Sequence, residues 1–458
     1  MSALNVNLDL VKKYNVPGPR YTSYPPATKF TEALAWPQLS EKIAANNQSG
    51  RGLSLYFHIP FCETLCWFCG CTTVITTNHG RATGYLDHLE KEVARMARLL
   101  DPKREVVQLH WGGGSPTFLQ PDEIRRLGQI IHRYFKLSSE VEAGVEIDPR
   151  RLTRDHVVAL SEIGFNRASM GVQDFDPQVQ EAIHRIQPRD MTQQALDWAR
   201  EAGFGSVNFD LIYGLPYQTT GSFNRTLDAV LEMSPDRLAV FSYAHVPWLK
   251  PSQKILEQKI LPTPEAKLEL LKTIIERLTE NDRYVYIGMD HFARPADELV
   301  TAQRNKTLQR NFQGYSTRGN ADIFAFGMSA ISQMPDVYWQ NEKELPAYYA
   351  ALDKGDAPFP RSYILTDEDK IRRETIMRLM CHLSLDYATL SRALGINFED
   401  HFAGELAALA PFESDGLVRR SPHGLEVTDT GRLFIRNIAM GFDNTLAPSS
   451  ERRFSKTI

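Results

Sequence analysis

The chain has 458 residues, of which 42% are hydrophobic and 24% charged, and its formal net charge is −4. That length exceeds one ordinary core and calls for two domains plus extensions; the mild negative charge offers no nucleic-acid or membrane footprint, and no apolar run reaches the length of a membrane span. The opening Met1-Ser-Ala-Leu-Asn-Val-Asn7 lacks the basic and apolar segments of an export signal, so a cytoplasmic protein is expected.

In chain order, the stretch from Tyr14 to Pro26 holds Pro17, Pro19, Pro25 and Pro26, which forbid a regular helix and favour extended backbone. Its tyrosines argue against a disordered tail, so residues 1–50 read as an arm laid over another surface. From residue 53 strand and helix alternate. Strands are expected at 53–59, 106–111, 144–147, 167–172, 207–212 and 238–243, with a further candidate at 284–288. Helices are expected at 85–100 (Leu86, Leu89, Val93, Met96 and Leu100 on one face), 121–135, after the Thr153 cap, and at 191–202, 223–233 and 264–279. Such alternation predicts parallel strands with right-handed crossovers, and six strands fall short of a closed eight-stranded barrel. Ligands in such folds sit at the carboxyl ends of the strands. There the sequence places His58, His110, Glu146, Asp148, Gln173, Asp210 and His245.

After residue 360 the character changes. Thr366 with Asp369 predicts a capped helix, shorter helices follow at 387–394 and 398–409, a hairpin at 416–427 and a last helix at 430–442. The order is similar to a winged helix, but its Arg and Lys are scattered, which favours a lid or partner surface over DNA binding. The expected division is an arm (1–50), a barrel with extension (51–360), a C-terminal helical domain (361–445) and a frayed tail (446–458).

Four of the five cysteines, Cys62, Cys66, Cys69 and Cys71, lie within ten residues. Thiolates this close on one loop can converge on one metal centre. Zinc is the alternative, although its sites usually draw ligands from two separate knuckles. A disulfide fits poorly with reduced cytosolic thiols. Cys381, at helical spacing in an apolar run, reads as a buried thiol. Gly112-Gly-Gly-Ser115 after the second strand lets backbone approach a ligand and expose N–H donors; an ordinary strand-to-helix turn reads equally well. Glu146 suits ribose hydroxyls or a helix cap.

Cys62-x-x-x-Cys66-x-x-Cys69, with Phe68 before the third cysteine, resembles the signature of the radical S-adenosylmethionine superfamily. The string extended to Cys71 resembles the oxygen-independent coproporphyrinogen III oxidase family more closely. So do Gly-Pro-Arg-Tyr-Thr-Ser-Tyr-Pro (18–25), Leu-His-Trp-Gly-Gly-Gly-Ser-Pro-Thr (109–117), Ser-Met-Gly-Val-Gln-Asp-Phe (169–175), Gly-Met-Asp-His-Phe-Ala-Arg-Pro (288–295) and Asn-Phe-Gln-Gly-Tyr (311–315). The resemblance implies an α/β fold, a partial (β/α)6 barrel with an N-terminal extended arm over its mouth and a mainly helical, winged-helix-like C-terminal domain.

It further implies that Cys62, Cys66 and Cys69 bind a [4Fe–4S] cluster whose open iron chelates S-adenosylmethionine. Tyr56, Gly113, Gly114, Ser115, Glu146 and Ile331 would surround that molecule; the family more often has Thr at the position of Ser115. Gln173, Arg185, Asp210 and Ala244, with Phe68, Gly114 and Ser115, would line a second S-adenosylmethionine. Cys71 and Tyr56 would be catalytic, Cys71 without binding iron. Arg20, Arg294 and Arg310, in the family-specific stretches, are candidate partners for substrate carboxylates. The implied reaction converts two propionates of coproporphyrinogen III to vinyl groups through a 5′-deoxyadenosyl radical, in haem biosynthesis. It needs a reductant and an unidentified electron acceptor, and the resemblance implies a monomer. A haem chaperone of the superfamily, or a non-enzymatic zinc module, is the alternative reading.

Overall fold

The hydrophobic periods produce the expected alternation. In the computed structural model, which describes residues 6–32, 34–446 and 456–457, six strands lie side by side in chain order, all parallel: β1 (Gly52–Ile59), β2 (Glu105–Gly113), β3 (Lys136–Ile147), β4 (Arg167–Gln173), β5 (Ser206–Tyr213) and β6 (Arg237–Ser242). Helices Gly80–Ala97, Pro121–Tyr134, Arg154–Ile163, Arg189–Glu201 and Thr220–Met233 connect them. The first buries Leu86, Leu89, Val93 and Met96, the stripe expected from sequence. Thr153 caps its helix by accepting from the His156 N–H, and Gly164 ends that helix in the left-handed region at φ 108°.

Three features go beyond the expectation. A seventh parallel strand, β7 (Ala321–Phe326), pairs with the free edge of β1, Ala321 opposite Gly52. Beyond it, Ile331–Gln333, Val337–Gln340 and Arg361–Ile364 extend the sheet antiparallel. At the other edge 284–288 does form a strand, Val285–Gly288, but it is the outer arm of an antiparallel hairpin whose inner arm, His291–Ala293, pairs with β6. The 13 strands therefore run from Thr31–Glu32 to Val285–Gly288 in an open sheet. β3 starts earlier than its apolar end suggests: Lys136 and Leu137 pair with Glu105 and Val106, and the register slips before Gln108 meets Glu142.

The segment 1–50 is not extended throughout. Leu8–Tyr14 and Trp36–Asn46 are helices, because the prolines are confined to 17–26 and to Pro37, which sits in the first turn of the second helix and needs no N–H partner there. The proline-rich part between them is irregular and held tightly. Tyr21 and Tyr24 are buried in a second apolar core with Ile376, Leu379, Phe402, Ile438 and Phe442 of the C-terminal region. The Tyr21 hydroxyl donates to Asp443 (2.9 Å) and that of Tyr24 to Asn444 (2.7 Å). The buried guanidinium of Arg436 donates to the carbonyls of Gly18, Pro19, Lys456 and Thr457. Of the tail 446–458, Lys456 and Thr457 are described and are held by Arg436; residues 447–455 and 458, like 1–5 and 33, lie outside the described residues.

The C-terminal region has the expected order. Thr366 caps Asp367–His382, accepting from the Asp369 N–H. The hairpin is Val418–Ser421 with Gly424–Val427, joined by Ser384–Asp386 into a three-stranded sheet. The segment 398–409 is broken into Phe398–His401 and Ala403–Ala408, and the last helix is a 3-10 turn, Gly431–Phe434, followed by Ile435–Met440. No helix among the described residues is long and apolar enough to cross a membrane.

β7 is fixed to β1 by a fully buried carboxylate. Asp322 accepts from Arg51 Nε (2.6 Å), from Arg104 (2.5 Å), itself 4% exposed, and from Asn46. Removing one member of a buried ion pair strands the others, at about 3–5 kcal/mol. Asp322→Ala should lower the unfolding free energy by that amount in denaturant titrations, and Arg51→Ala, which removes the more exposed of the two guanidinium groups, by less.

Candidate active site

β1 ends at Ile59, and the cysteine loop leaves from its carboxyl end. A two-stranded clasp, Phe61–Cys62 with Val74–Ile75, closes the loop at its base. The loop is then pinned from outside. The Trp67 N–H donates to the Ile183 carbonyl (3.0 Å), and the Trp67 ring stacks on His184 at 5.0 Å and 16°. Gln253 donates to the Phe68 carbonyl (3.0 Å) and Lys250 to the Cys71 carbonyl (2.7 Å). Phe68 packs with Val179, Ile183, Leu215, Tyr243 and Leu256.

Cys66 is buried and faces two guanidinium groups: Arg150 Nη2 is 3.3 Å and Arg185 Nη1 3.6 Å from its sulfur. Both also grip Asp148, which follows β3, at 2.6 and 3.3 Å. Burial alone would raise the Asp148 pKa; Arg185 and Arg150 outweigh it and hold the carboxyl well below its ordinary range. Burial pushes the Cys62 thiol up to about 12, whereas Cys69 falls to about 6 through the Cys71 hydrogen bond, against burial, aided by Lys250 and Arg185. Among the described residues no three Cys, His, Asp or Glu side chains are drawn around one point. The donor set nonetheless suits an iron–sulfur cluster: three thiols on one short loop, with cations placed to balance the negative charge of thiolate ligands.

The glycine turn answers the sequence expectation in an altered way. Its N–H groups are not open donors: Gly113 N–H donates to Glu146 (3.0 Å), Gly114 to the Ile59 carbonyl (2.8 Å) and Ser115 to the Phe61 carbonyl (2.9 Å). What the glycines supply is room. A Cβ at Gly112 would fall 2.8 Å from the Glu146 carboxyl carbon, and one at Gly113, where φ is 114°, 2.5 Å from the His58 ring. Burial opposes charge on Glu146, but His110, 3.6 Å away, and the Gly113 N–H prevail and lower its pKa. Tyr56 stacks on His110 at 5.9 Å and 12°. His58 donates from Nε2 to the Thr72 carbonyl (3.0 Å), leaving Nδ1 to accept from Tyr56 (3.2 Å); burial lowers its pKa, so the ring is neutral. Cys62, Ser115, Asp148, Arg150 and His184 line a cleft of about 300 Å³ beside the loop.

Further round the rim, Gln173 is buried with φ 68°, and Arg185 donates to the Gly171 carbonyl (2.7 Å). Asp210 accepts from Ser169 (3.0 Å) and Asn208 (2.8 Å), and burial followed by the Glu146 charge raises its pKa to about 7. Ala244 is exposed past the end of β6, and Ile331 packs with Phe30, Tyr338 and Leu365. Of the three arginines, Arg310 is 6% exposed and its Nε and Nη1 have no partner among the described residues; its guanidinium stands over Tyr315 at 4.7 Å. Arg20 pairs with Asp290 and stands over Phe241. Arg294 is elsewhere. It donates to the Pro235 carbonyl (3.0 Å) and to Ser234, just before β6 and therefore at the end opposite the cysteine loop. Arg150, His184, Lys250 and Gln253 were not read from sequence; Arg150, two residues after the rim carboxylate Asp148, carried the one available signal.

A partial parallel barrel with a three-cysteine loop at the carboxyl end of its first strand defines a radical SAM protein. The sequence matches the family model of the radical SAM superfamily over residues 56–230 and that of the HemN C-terminal domain over 365–434. It is 46% identical to oxygen-independent coproporphyrinogen III oxidases of Synechocystis sp. (98% of this chain, 97% of that one) and Escherichia coli (99% and 98%). The structure superposes on the Escherichia coli coproporphyrinogen III oxidase, HemN, described as a radical SAM enzyme, with a TM-score of 0.92 at 45% identity, covering 97% of this chain and 100% of the other. This chain belongs to the oxygen-independent coproporphyrinogen III oxidase family.

Asp210 gives a pH signature. Its folded pKa, about 7, lies above the ordinary carboxylate value, so the folded state holds the extra proton. The stabilisation is complete below about pH 4 and disappears as pH rises through 7, a span worth on the order of 4 kcal/mol. Asp210→Asn should flatten that part of the stability-against-pH curve measured by urea unfolding.

Proposed function

We propose that this protein converts two propionate side chains of coproporphyrinogen III to vinyl groups without oxygen, each losing carbon dioxide, a β-hydrogen and an electron, to give protoporphyrinogen IX in the cytoplasm. The cysteine loop carries the reading: it is fastened at its base, held by Lys250 and Gln253, and turned toward the Arg150–Asp148–Arg185 network at the carboxyl end of a parallel barrel. A [4Fe–4S] cluster with S-adenosylmethionine supplies hydrogen-atom abstraction from an unactivated carbon, which acid–base side chains cannot perform. Cys62, Cys66 and Cys69 hold the cluster; Cys71, two residues on, is left free for the substrate step.

Glu146, ionised and oriented by His110, accepts from ribose hydroxyls. The stack of Tyr56 on His110 forms one wall beside it, and the neutral His58 keeps the Tyr56 hydroxyl aimed inward. Gln173, Arg185 and Asp210, with Phe68, Gly114, Ser115 and Ala244, take a second S-adenosylmethionine; two decarboxylations require two radicals. Arg310, buried with Nε and Nη1 lacking a partner among the described residues, donates to a propionate. Arg20 closes over it from the arm. An external reductant and an electron acceptor complete the stoichiometry.

Anaerobic incubation with coproporphyrinogen III, S-adenosylmethionine and a reductant should yield protoporphyrinogen; absence of product under reducing conditions would refute the assignment. Cys69→Ala should lose the broad iron–sulfur absorbance and all turnover, whereas Cys71→Ser should keep the spectrum and lose turnover. Equilibrium binding to the anaerobic protein should give two equivalents of S-adenosylmethionine, and Asp210→Ala one; a wild-type stoichiometry of one would remove the second site.

A further inference from the structure

A cavity larger than the cleft at the cysteine loop lies elsewhere in the molecule. It has a volume of about 830 Å³, within the roughly 300–1,000 Å³ of sites that enclose a drug-sized ligand. It lies on the other face of the sheet wall. Side chains alternate along a strand, and Val240 and Ser242 of β6, which border the cavity, project away from the barrel-facing Ala239 and Phe241. Helix Pro264–Thr279 forms one side through Leu271 and Ile274; Leu433 and Ile435 of the C-terminal region and Pro17 and Arg20 of the arm form the other. Cys62, Cys66, Cys69, Glu146 and Asp210 are not among its lining residues; Arg20, Ala244 and His245 are the points it shares with the residues read from sequence.

Its chemistry is two-sided. The floor is apolar, and Trp248 on the rim is 70% exposed, beside Leu249 at 66%, an unusual display of large apolar surface. The charge is one-sided. Arg20, Lys267, Arg436 and Lys456 border the cavity, and Asp290, the one acidic lining residue among the described residues, is bound by Arg20. Arg436 is bonded to four neutral carbonyls and, among the described residues, to no carboxylate. Lys267 donates to the Tyr243 carbonyl (2.7 Å), has no carboxylate partner among the described residues, and burial followed by Lys456 lowers its pKa to about 8. A half-buried ammonium without a counter-ion beside an apolar chamber favours a ligand that brings its own carboxylates.

We propose that this cavity is a holding site for a carboxylate-bearing tetrapyrrole outside the cysteine cleft, with the macrocycle over the apolar floor and Trp248, and a propionate on Lys267. The ligand class rests on the reaction proposed above; the geometry of the site does not. A four-propionate substrate and a two-propionate product share the recognised chemistry, and separate titrations distinguish them.

The test uses full-length protein and the air-stable probes coproporphyrin III and protoporphyrin IX, followed by quenching of tryptophan fluorescence. One porphyrin should bind per chain. Lys267→Met should weaken the porphyrin that uses the ammonium by about tenfold, the loss expected for one charge-assisted hydrogen bond, and Lys267→Arg should restore it. Leu271→Trp, which fills the floor, should weaken both probes; thermal unfolding of each variant checks that the fold is kept. Cys66→Ala should bind as wild type. Tighter coproporphyrin than protoporphyrin binding assigns the site to substrate, and the reverse order to product. Wild-type affinity in both Lys267→Met and Leu271→Trp, or loss of binding in Cys66→Ala, overturns the proposal. The turnover assay separates the two readings: failed turnover with this binding pattern intact rejects the reaction and keeps the site, and normal turnover without the pattern rejects the site alone.

Discussion

One partly buried carboxylate organises the cysteine loop. Asp148 gathers Arg150 from its own turn and Arg185 from beyond β4, and both guanidinium groups then face the sulfur of Cys66. Without Asp148 two cations would stand unpaired in a site of low polarity, a cost of several kcal/mol. With it, the carboxyl end of β3, the segment after β4 and the loop after β1 are tied into one unit. The Trp67–His184 stack and the Lys250 and Gln253 hydrogen bonds add rigidity at the remaining side. A loop too short to fold by itself is thereby shaped by elements distant in sequence.

The six parallel strands were legible because each is a short apolar run followed by an amphipathic helix, and the spacing repeats. β7 was not, because Ala321-Asp-Ile-Phe-Ala-Phe326 carries an acid in its second position and has no helix leading from it to the next strand. The acid is the reason the strand sits where it does, since Asp322 meets Arg51 and Arg104. The arm misled in the other direction. Its prolines fix only the 17–26 stretch, and a proline in the first turn of a helix, as at Pro37, is compatible with helix rather than a breaker.

At the site, residue types at strand ends announced Glu146, Gln173 and Asp210, but not what their neighbours do. Glycines after β2 suggested exposed N–H groups; only the folded backbone shows those N–H groups committed to Glu146, Ile59 and Phe61, and the glycines acting by the side chains they lack. Arginine in a family-specific stretch was a weak guide. Arg310 is buried with Nε and Nη1 lacking a partner among the described residues, and Arg294 caps carbonyls at the opposite end of the barrel. No pattern in the sequence separates those fates, because they depend on which strand end each residue reaches.

The grip of Arg436 on the carbonyls of Gly18 and Pro19 joins residues 417 and 418 positions apart. During synthesis the arm emerges before the barrel strands, yet its dock, the helix Ile435–Met440 and Phe442, is made after them. All seven parallel strands have left the ribosome before that dock exists, and domains fold as units in the order they appear. The barrel therefore passes through a stage in which its sheet is complete and the proline-rich stretch around Tyr21 and Tyr24 has no seat. A segment translated after the barrel decides when one translated before it closes.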